Sequence, residues 1–172
     1  SYTYVSVRAP QTLEEGSYQW FHRKGQGPYD GVTSELASGV ELIGQFVRAA
    51  LAKYQTQPDK VVLVGFSQGA VMAYEVGLRH PQSVRGIAAL SGKILPVLAA
   101  QVKNNPSLQR LGIFIGHGTL DQRLPYSDAV DAQRLLQGLS LQPQFHAYPG
   151  LGHSISEAEI DDLKGWLQGL NP

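Results

Sequence analysis

Val61-Val62-Leu63-Val64 runs directly into Gly65-Phe66-Ser67-Gln68-Gly69, and this junction restricts the fold more than any other part of the chain. Four successive apolar residues suit a parallel strand buried on both faces, which has no solvent side for alternation to serve. We therefore expect a strand over residues 60–66, a tight turn over 65–69 and a helix over 68–79. The pattern Gly-x-Ser-x-Gly between strand and helix puts a serine at the tip of a strained turn with its hydroxyl exposed. The two glycines leave room for neighbouring segments, and the helix start turns free N–H groups and its positive dipole end toward any anion formed there. Ser67 is thus a candidate nucleophile; the alternative is a glycine-flanked turn with an idle serine.

The rest of the chain alternates in the same way. Residues 2–9 interleave Tyr2, Tyr4, Ser6 and Arg8 with Thr3, Val5, Val7 and Ala9, and Pro10 closes the stretch; we expect a strand. Residues 11–32 hold Gly16, Gly25, Gly27, Pro28 and Gly31 among Tyr18, Trp20, Phe21 and Tyr29, too many breakers for a regular element, so a long loop or lid is expected. Leu36, Val40, Ile43, Val47, Ala50, Leu51 and Tyr54 recur at intervals of a helical turn, which predicts a helix starting after Thr33 or Ser34. Further strands are expected over 84–90, 112–116 and 142–148, and helices over 126–138 and 156–170. Alternating strands and helices predict a mainly parallel sheet with helices on both faces, the α/β class. At 172 residues the chain suits a single domain over 1–172.

Composition narrows the partners. Fourteen basic and fourteen acidic side chains cancel, leaving no net field to draw nucleic acid or an anionic membrane; a small, nearly neutral substrate fits better. With no cysteine there is no disulfide framework or thiolate metal site; this absence does not fix the compartment, for which the cytoplasm is the expectation. No apolar run is long enough to span a bilayer, and residues 1–10 do not resemble a signal peptide.

A serine hydroxyl attacks well only when a base removes its proton. His153, in Gly150-Leu151-Gly152-His153-Ser154, follows a predicted strand, and in a parallel sheet the strand ends share one ligand-binding edge. Among its competitors, His80 falls at the far end of the helix after Ser67 and His146 inside a strand; His117 follows its strand too closely to approach easily, and His22 is the fourth. The orienting acid should lie between serine and histidine in the chain. Asp121, in Gly116-His117-Gly118-Thr119-Leu120-Asp121, leaves a strand at the same edge. Asp128 and Asp131 fall within the next helix, and Asp59 at the opposite end of its strand. Three loops bringing Ser, Asp and His to one edge in that order are more specific than any single motif.

The segments GFSQGA, HGTLDQRLP and YPGLGHSIS resemble the three catalytic segments of the phospholipase/carboxylesterase family of α/β-hydrolases, which includes acyl-protein thioesterases. Arg8-Ala9-Pro10, Trp20-Phe21 and Ala89-Leu90-Ser91-Gly92 also resemble family features, so the likeness covers nearly the whole chain. The resemblance implies Ser67 as nucleophile, His153 as base, Asp121 as acid and the Gln68 backbone N–H as an oxyanion donor, with Trp20, Leu124 and Leu151 beside the acyl group. It implies hydrolysis of a small-molecule ester, or of a thioester or lysophospholipid, with no metal and no organic cofactor; a homodimer is left open. A peptidase on the same scaffold and a non-catalytic ligand-binding protein are the alternatives.

In one respect the sequence departs from the family. Members carry, ahead of the strand that residues 2–9 resemble, further strands, a helix and a His-Gly loop that completes the oxyanion hole, and one of those strands lies beside the nucleophile strand. We expect residues before Ser1 in the natural protein to supply them. In the alternative arrangement residues 2–9 pair directly with the strand holding Val61 and Val64, and the backbone after Pro10 offers the second donor.

Overall fold

A computed structural model describes residues 2–23 and 33–170. Four strands form one parallel sheet: β3 (Val62–Phe66), β4 (Gly86–Leu90), β5 (Gly112–Gly118) and β6 (Gln144–Tyr148), in the spatial order β3-β4-β5-β6. A separate antiparallel hairpin, β1 (Gln11–Glu14) and β2 (Ser17–Gln19), precedes them. Five α-helices are described: α1 (Thr33–Tyr54), α2 (Gln68–Arg79), α3 (Pro96–Gln101), α4 (Tyr126–Gly138) and α5 (Glu157–Leu170).

The alternation of strand side chains divides the helices between the two faces. Ile87, Ala89, Ile113 and Ile115 point into a core closed by Ala73, Tyr74 and Leu78 of α2 and by Ala129, Ala132 and Leu136 of α4. Ala88, Leu90 and Phe114, one residue out of step, meet Leu163, Trp166, Leu167 and Leu170 of α5 on the other face. Helix α1 lies against α2, its Leu36, Val40, Ile43 and Val47 meeting Val71, Met72 and Val76. Every residue from Ala70 to Leu78 is buried as a result, which explains why α2 is apolar nearly all round. The fold is the expected α/β arrangement with helices on both faces.

Several expectations need correction. Residues 2–9 join no sheet and are mostly exposed, so alternation there produces no strand. An extended segment gains little until its backbone groups find a ladder partner; Tyr2 is instead tied to α5, its hydroxyl donating to the Leu167 carbonyl at 2.7 Å. The stretch expected to be an unbroken loop contains the β1–β2 hairpin, turning at Gly16 with φ 75°; the part of it over residues 24–32 lies outside the described residues. Nor is β3 buried on both faces. Among the described residues it is the edge of the sheet, with Val64 52% and Phe66 38% exposed. An apolar run reports burial on two faces only where a neighbour exists on each side. Between residues 2–7 and residues 60–66 lies a cavity of about 830 Å³, so direct pairing of these two segments is not made. Helix α3 was not anticipated, being too short for periodicity to register. The remaining strand and helix ends fall within two residues of expectation.

Candidate active site

The turn that carries Ser67 is built by close approach. At Gly65 a Cβ would overlap the carbonyl oxygen of Gly69, so the chain can double back there only without a side chain. Ser67 then takes φ 57°, ψ −118° at the start of α2, a conformation costly for a residue with a Cβ. Its N–H donates to the Leu90 carbonyl at 3.0 Å and its carbonyl accepts from Ala70 and Val71, which pins the strained residue from both sides. Gly69 differs from the expectation of crowding: a Cβ there would meet nothing within 4 Å. Gln68 opens α2, so its N–H is among the four helix-start donors that lack an intrahelical acceptor.

The loops after β5 and β6 are fastened to each other. Thr119 N–H donates to the Tyr148 carbonyl at 3.1 Å and Leu120 N–H to the Leu151 carbonyl at 2.9 Å, while Thr119 Oγ1 accepts from Gly150 N–H at 3.0 Å. A Cβ on Gly118 would overlap the carbonyls of Leu151 and Gly152, so this contact also requires glycine. Asp121 and His153 are thereby brought together: the Asp121 Oδ2 lies 2.7 Å from His153 Nδ1, and His153 Nε2 lies 3.0 Å from Ser67 Oγ.

Electrostatics suit this pairing. The Asp121 side chain has no solvent exposure, and burial pushes its pKa up. The N–H of Leu124, the His153 ring and the N–H of Arg123 more than offset this and hold the carboxyl below its ordinary 3.8. With a carboxylate at Oδ2, the Nδ1 of His153 carries the proton and Nε2 is left as an acceptor for the Ser67 hydroxyl. Phe66 packs against the His153 ring, centroids 4.9 Å apart, and limits its rotation.

None of the rival residues is placed against Ser67, and His117 alone lies beside Asp121. His117 is fully buried in β5, with Nε2 2.8 Å from the Leu124 carbonyl and 3.5 Å from Asp121 Oδ2. His22 pairs with Glu35 at 2.7 Å, His146 faces Asp162 at 3.2 Å, and His80 ends α2. Asp128 faces Lys93 at 3.7 Å and Asp131 faces Arg134 at 3.5 Å. Of the three residues expected beside an acyl group, Trp20 lines the large cavity that Gly65 and Phe66 also border. Leu124 is wholly buried with Phe21 and Val71, and Leu151 borders a separate depression with Tyr148 and Ser156. Two contributions were not anticipated: Phe66 against the histidine, and the Gln68 side chain, whose partners lie 47 and 48 residues away in the chain. No local pattern encodes a contact of that range. Among the described residues no group of three or more His, Cys, Asp or Glu is placed to hold a metal ion, and no helix is long and apolar enough to cross a membrane.

The comparisons with known proteins agree with this architecture. Acyl-protein thioesterase 1 of Saccharomyces cerevisiae is 32% identical over 142 residues, 81% of this chain and 60% of its own length. Carboxylesterase SOBER1 of Arabidopsis thaliana is 32% identical over 114 residues, 66% of this chain and 50% of its own. The crystal structure of SOBER1 superposes with a TM-score of 0.78 at 25% identity, covering 97% of this chain and 81% of that one. The chain thus spans about half the length of the curated relatives it matches. The profile of the phospholipase/carboxylesterase family matches residues 2–171, and the chain belongs to that family of α/β-hydrolases.

Proposed function

We propose that the chain is the catalytic part of a serine hydrolase that cleaves carboxylic esters or thioesters through an acyl-enzyme. The observation that carries this reading is the continuous line from Ser67 Oγ through His153 to Asp121, at 3.0 and 2.7 Å. His153 Nε2 takes the Ser67 proton as Oγ attacks the substrate carbonyl. The tetrahedral oxyanion is met by the Gln68 N–H at the start of α2. His153, now doubly protonated and held by the Asp121 carboxylate, returns the proton to the departing alcohol or thiol. Water activated by the same nitrogen then releases the acid and restores Ser67. Ester and thioester substrates both agree with the names of the relatives, a carboxylesterase and an acyl-protein thioesterase.

A second reading is favoured by one relative: a rice protein 31% identical to this chain is named a probable inactive carboxylesterase, so a non-catalytic binding protein is the rival. One experiment separates the readings. The 172-residue chain is treated with a fluorophosphonate probe and assayed on p-nitrophenyl esters, an acyl thioester and an anilide. Labelling at Ser67 alone, with ester or thioester turnover lost in Ser67→Ala and in His153→Ala, supports the hydrolase. Turnover that survives either substitution removes the mechanism, turnover of the anilide instead moves the reading to a peptidase, and no labelling supports the binding protein.

A further inference from the structure

Gln68 does more than present its backbone at the start of α2. Its Oε1 accepts from the Trp20 N–H at 2.9 Å and its Nε2 donates to the Phe21 carbonyl at 2.9 Å. The two bonds form a closed pair between one side-chain amide and the backbone of two consecutive residues. The amide offers a donor and an acceptor side by side, and only this orientation satisfies both partners, since a flipped amide would oppose donor to donor and acceptor to acceptor. The bracketed segment follows directly after β2. Phe21 is fully buried among Leu36, Val40, Val71 and Met72, and Trp20 leans over Gly39 of α1, 3.6 Å from where a Cβ would stand. Trp20 also lines the 830 Å³ cavity that Gly65 and Phe66 border, two residues of the turn that carries Ser67.

We infer that the Gln68 side chain is a positioning residue that holds Trp20 against the nucleophile turn and so sets the acyl-chain preference of the site. This inference rests on the hydrolase reading for its substrate, though not for the bracket itself. An indole ring is one wall of the cavity that Gly65 and Phe66 also border, so its placement bears on apolar acyl chains long enough to reach it and hardly on an acetyl group. Coupling arises because the amide and the proposed oxyanion donor belong to one residue: movement of the Trp20–Phe21 backbone is transmitted to the start of α2.

The test uses chain labelled with 5-fluorotryptophan, which has two ¹⁹F resonances, Trp20 and Trp166, assigned with Trp166→Phe. Gln68→Met keeps the length of the side chain and removes both hydrogen bonds. It should shift or broaden the Trp20 resonance and leave Trp166 unchanged. It should also lower the ratio of kcat/KM for p-nitrophenyl octanoate to that for the acetate by about tenfold, mainly through KM for octanoate, the scale expected for two ordinary hydrogen bonds. Gln68→Glu, which accepts from Trp20 but cannot donate to Phe21, should fall between. Unchanged Trp20 resonances in both variants would overturn the bracket, as would equal shifts of both tryptophans, the mark of a general loss of packing. A Trp20-specific shift with an unaltered octanoate-to-acetate ratio would overturn the role in acyl preference. If neither the parent chain nor any variant hydrolyses esters or an acyl thioester, the hydrolase reading fails while the ¹⁹F arm still decides the bracket.

Discussion

Asp121 shows how single residues here are governed by neighbours that lie far off in the chain. Its carboxylate takes the N–H groups of Arg123 and Leu124 on Oδ1 and the His153 ring on Oδ2. Asp121→Asn keeps an acceptor for the two N–H groups but turns an amide toward His153, favouring the wrong tautomer. The expected result is a stable fold and turnover reduced by a factor on the order of 10⁴, read from kcat and from circular dichroism; a loss of less than tenfold would mean that another group orients the histidine. Because its folded pKa lies below the ordinary value, Asp121 stabilises the fold above about pH 4, and this contribution is lost as pH falls through the folded pKa. Glu159 behaves in the opposite way. Wholly buried in α5, where a Cβ on Gly116 would overlap its Oε1, it is pushed up to about 7, chiefly by burial and further by the charge of Asp162. For a carboxyl raised from 4.5, the folded state binds the extra proton. Stability therefore falls as pH rises from about 4.5 to about 7 and stays reduced beyond, by roughly 3 kcal/mol if the whole shift is expressed. Glu159→Gln should thus unfold at a higher temperature than the parent at pH 8.5 and at nearly the same temperature at pH 4.5. A thermal-shift difference independent of pH would sink this account.

At the scale of elements, the junction of β3 and α2 separates the two glycines of one motif. Both were expected to make room for neighbours, yet only Gly65 does so. Gly65→Ala should force the turn open and cost about 1 to 3 kcal/mol as overpacking, lowering the melting temperature and abolishing probe labelling at Ser67. Gly69→Ala sits in the first turn of a helix with open space around it. It should leave the melting temperature unchanged or raise it slightly, since alanine loses less backbone freedom than glycine on folding. Equal damage from both substitutions, measured by differential scanning calorimetry, would contradict the packing at this turn. Helices α1, α4 and α5 were legible because each repeats an apolar face over three or more turns, and α2 because it follows the strand and serine turn. Helix α3, at six residues, is too short for any period to show.

On the scale of the whole molecule, the sheet ends at β3 with Val64 and Phe66 exposed beside a large groove. An edge strand with apolar side chains and unpaired backbone groups is a template for pairing with another chain. We expect the 172-residue chain to self-associate with rising concentration, and Val64→Lys to reduce that association with little change in melting temperature. Sedimentation velocity of the two proteins at matched concentrations decides this; identical association would place the contact elsewhere.

What the sequence by itself determined is whatever depends on near neighbours: strand and helix periods, the glycine-framed serine turn, and the order Ser67, Asp121, His153, which a parallel sheet carries to one edge. The same local logic failed for residues 2–9, where alternation describes an extended chain but cannot supply the partner that makes it a strand. It failed again for β3, whose apolar run does not say whether a neighbour exists on each side. Only the tertiary structure decided that the Asp121 and His153 loops are laced through Gly118, that Phe66 rests on the histidine, and that Gln68 reaches back across 47 residues to Trp20 and Phe21. Those contacts are settled by how separate elements stack and which backbone groups meet in space, and no pattern along the chain encodes that distance.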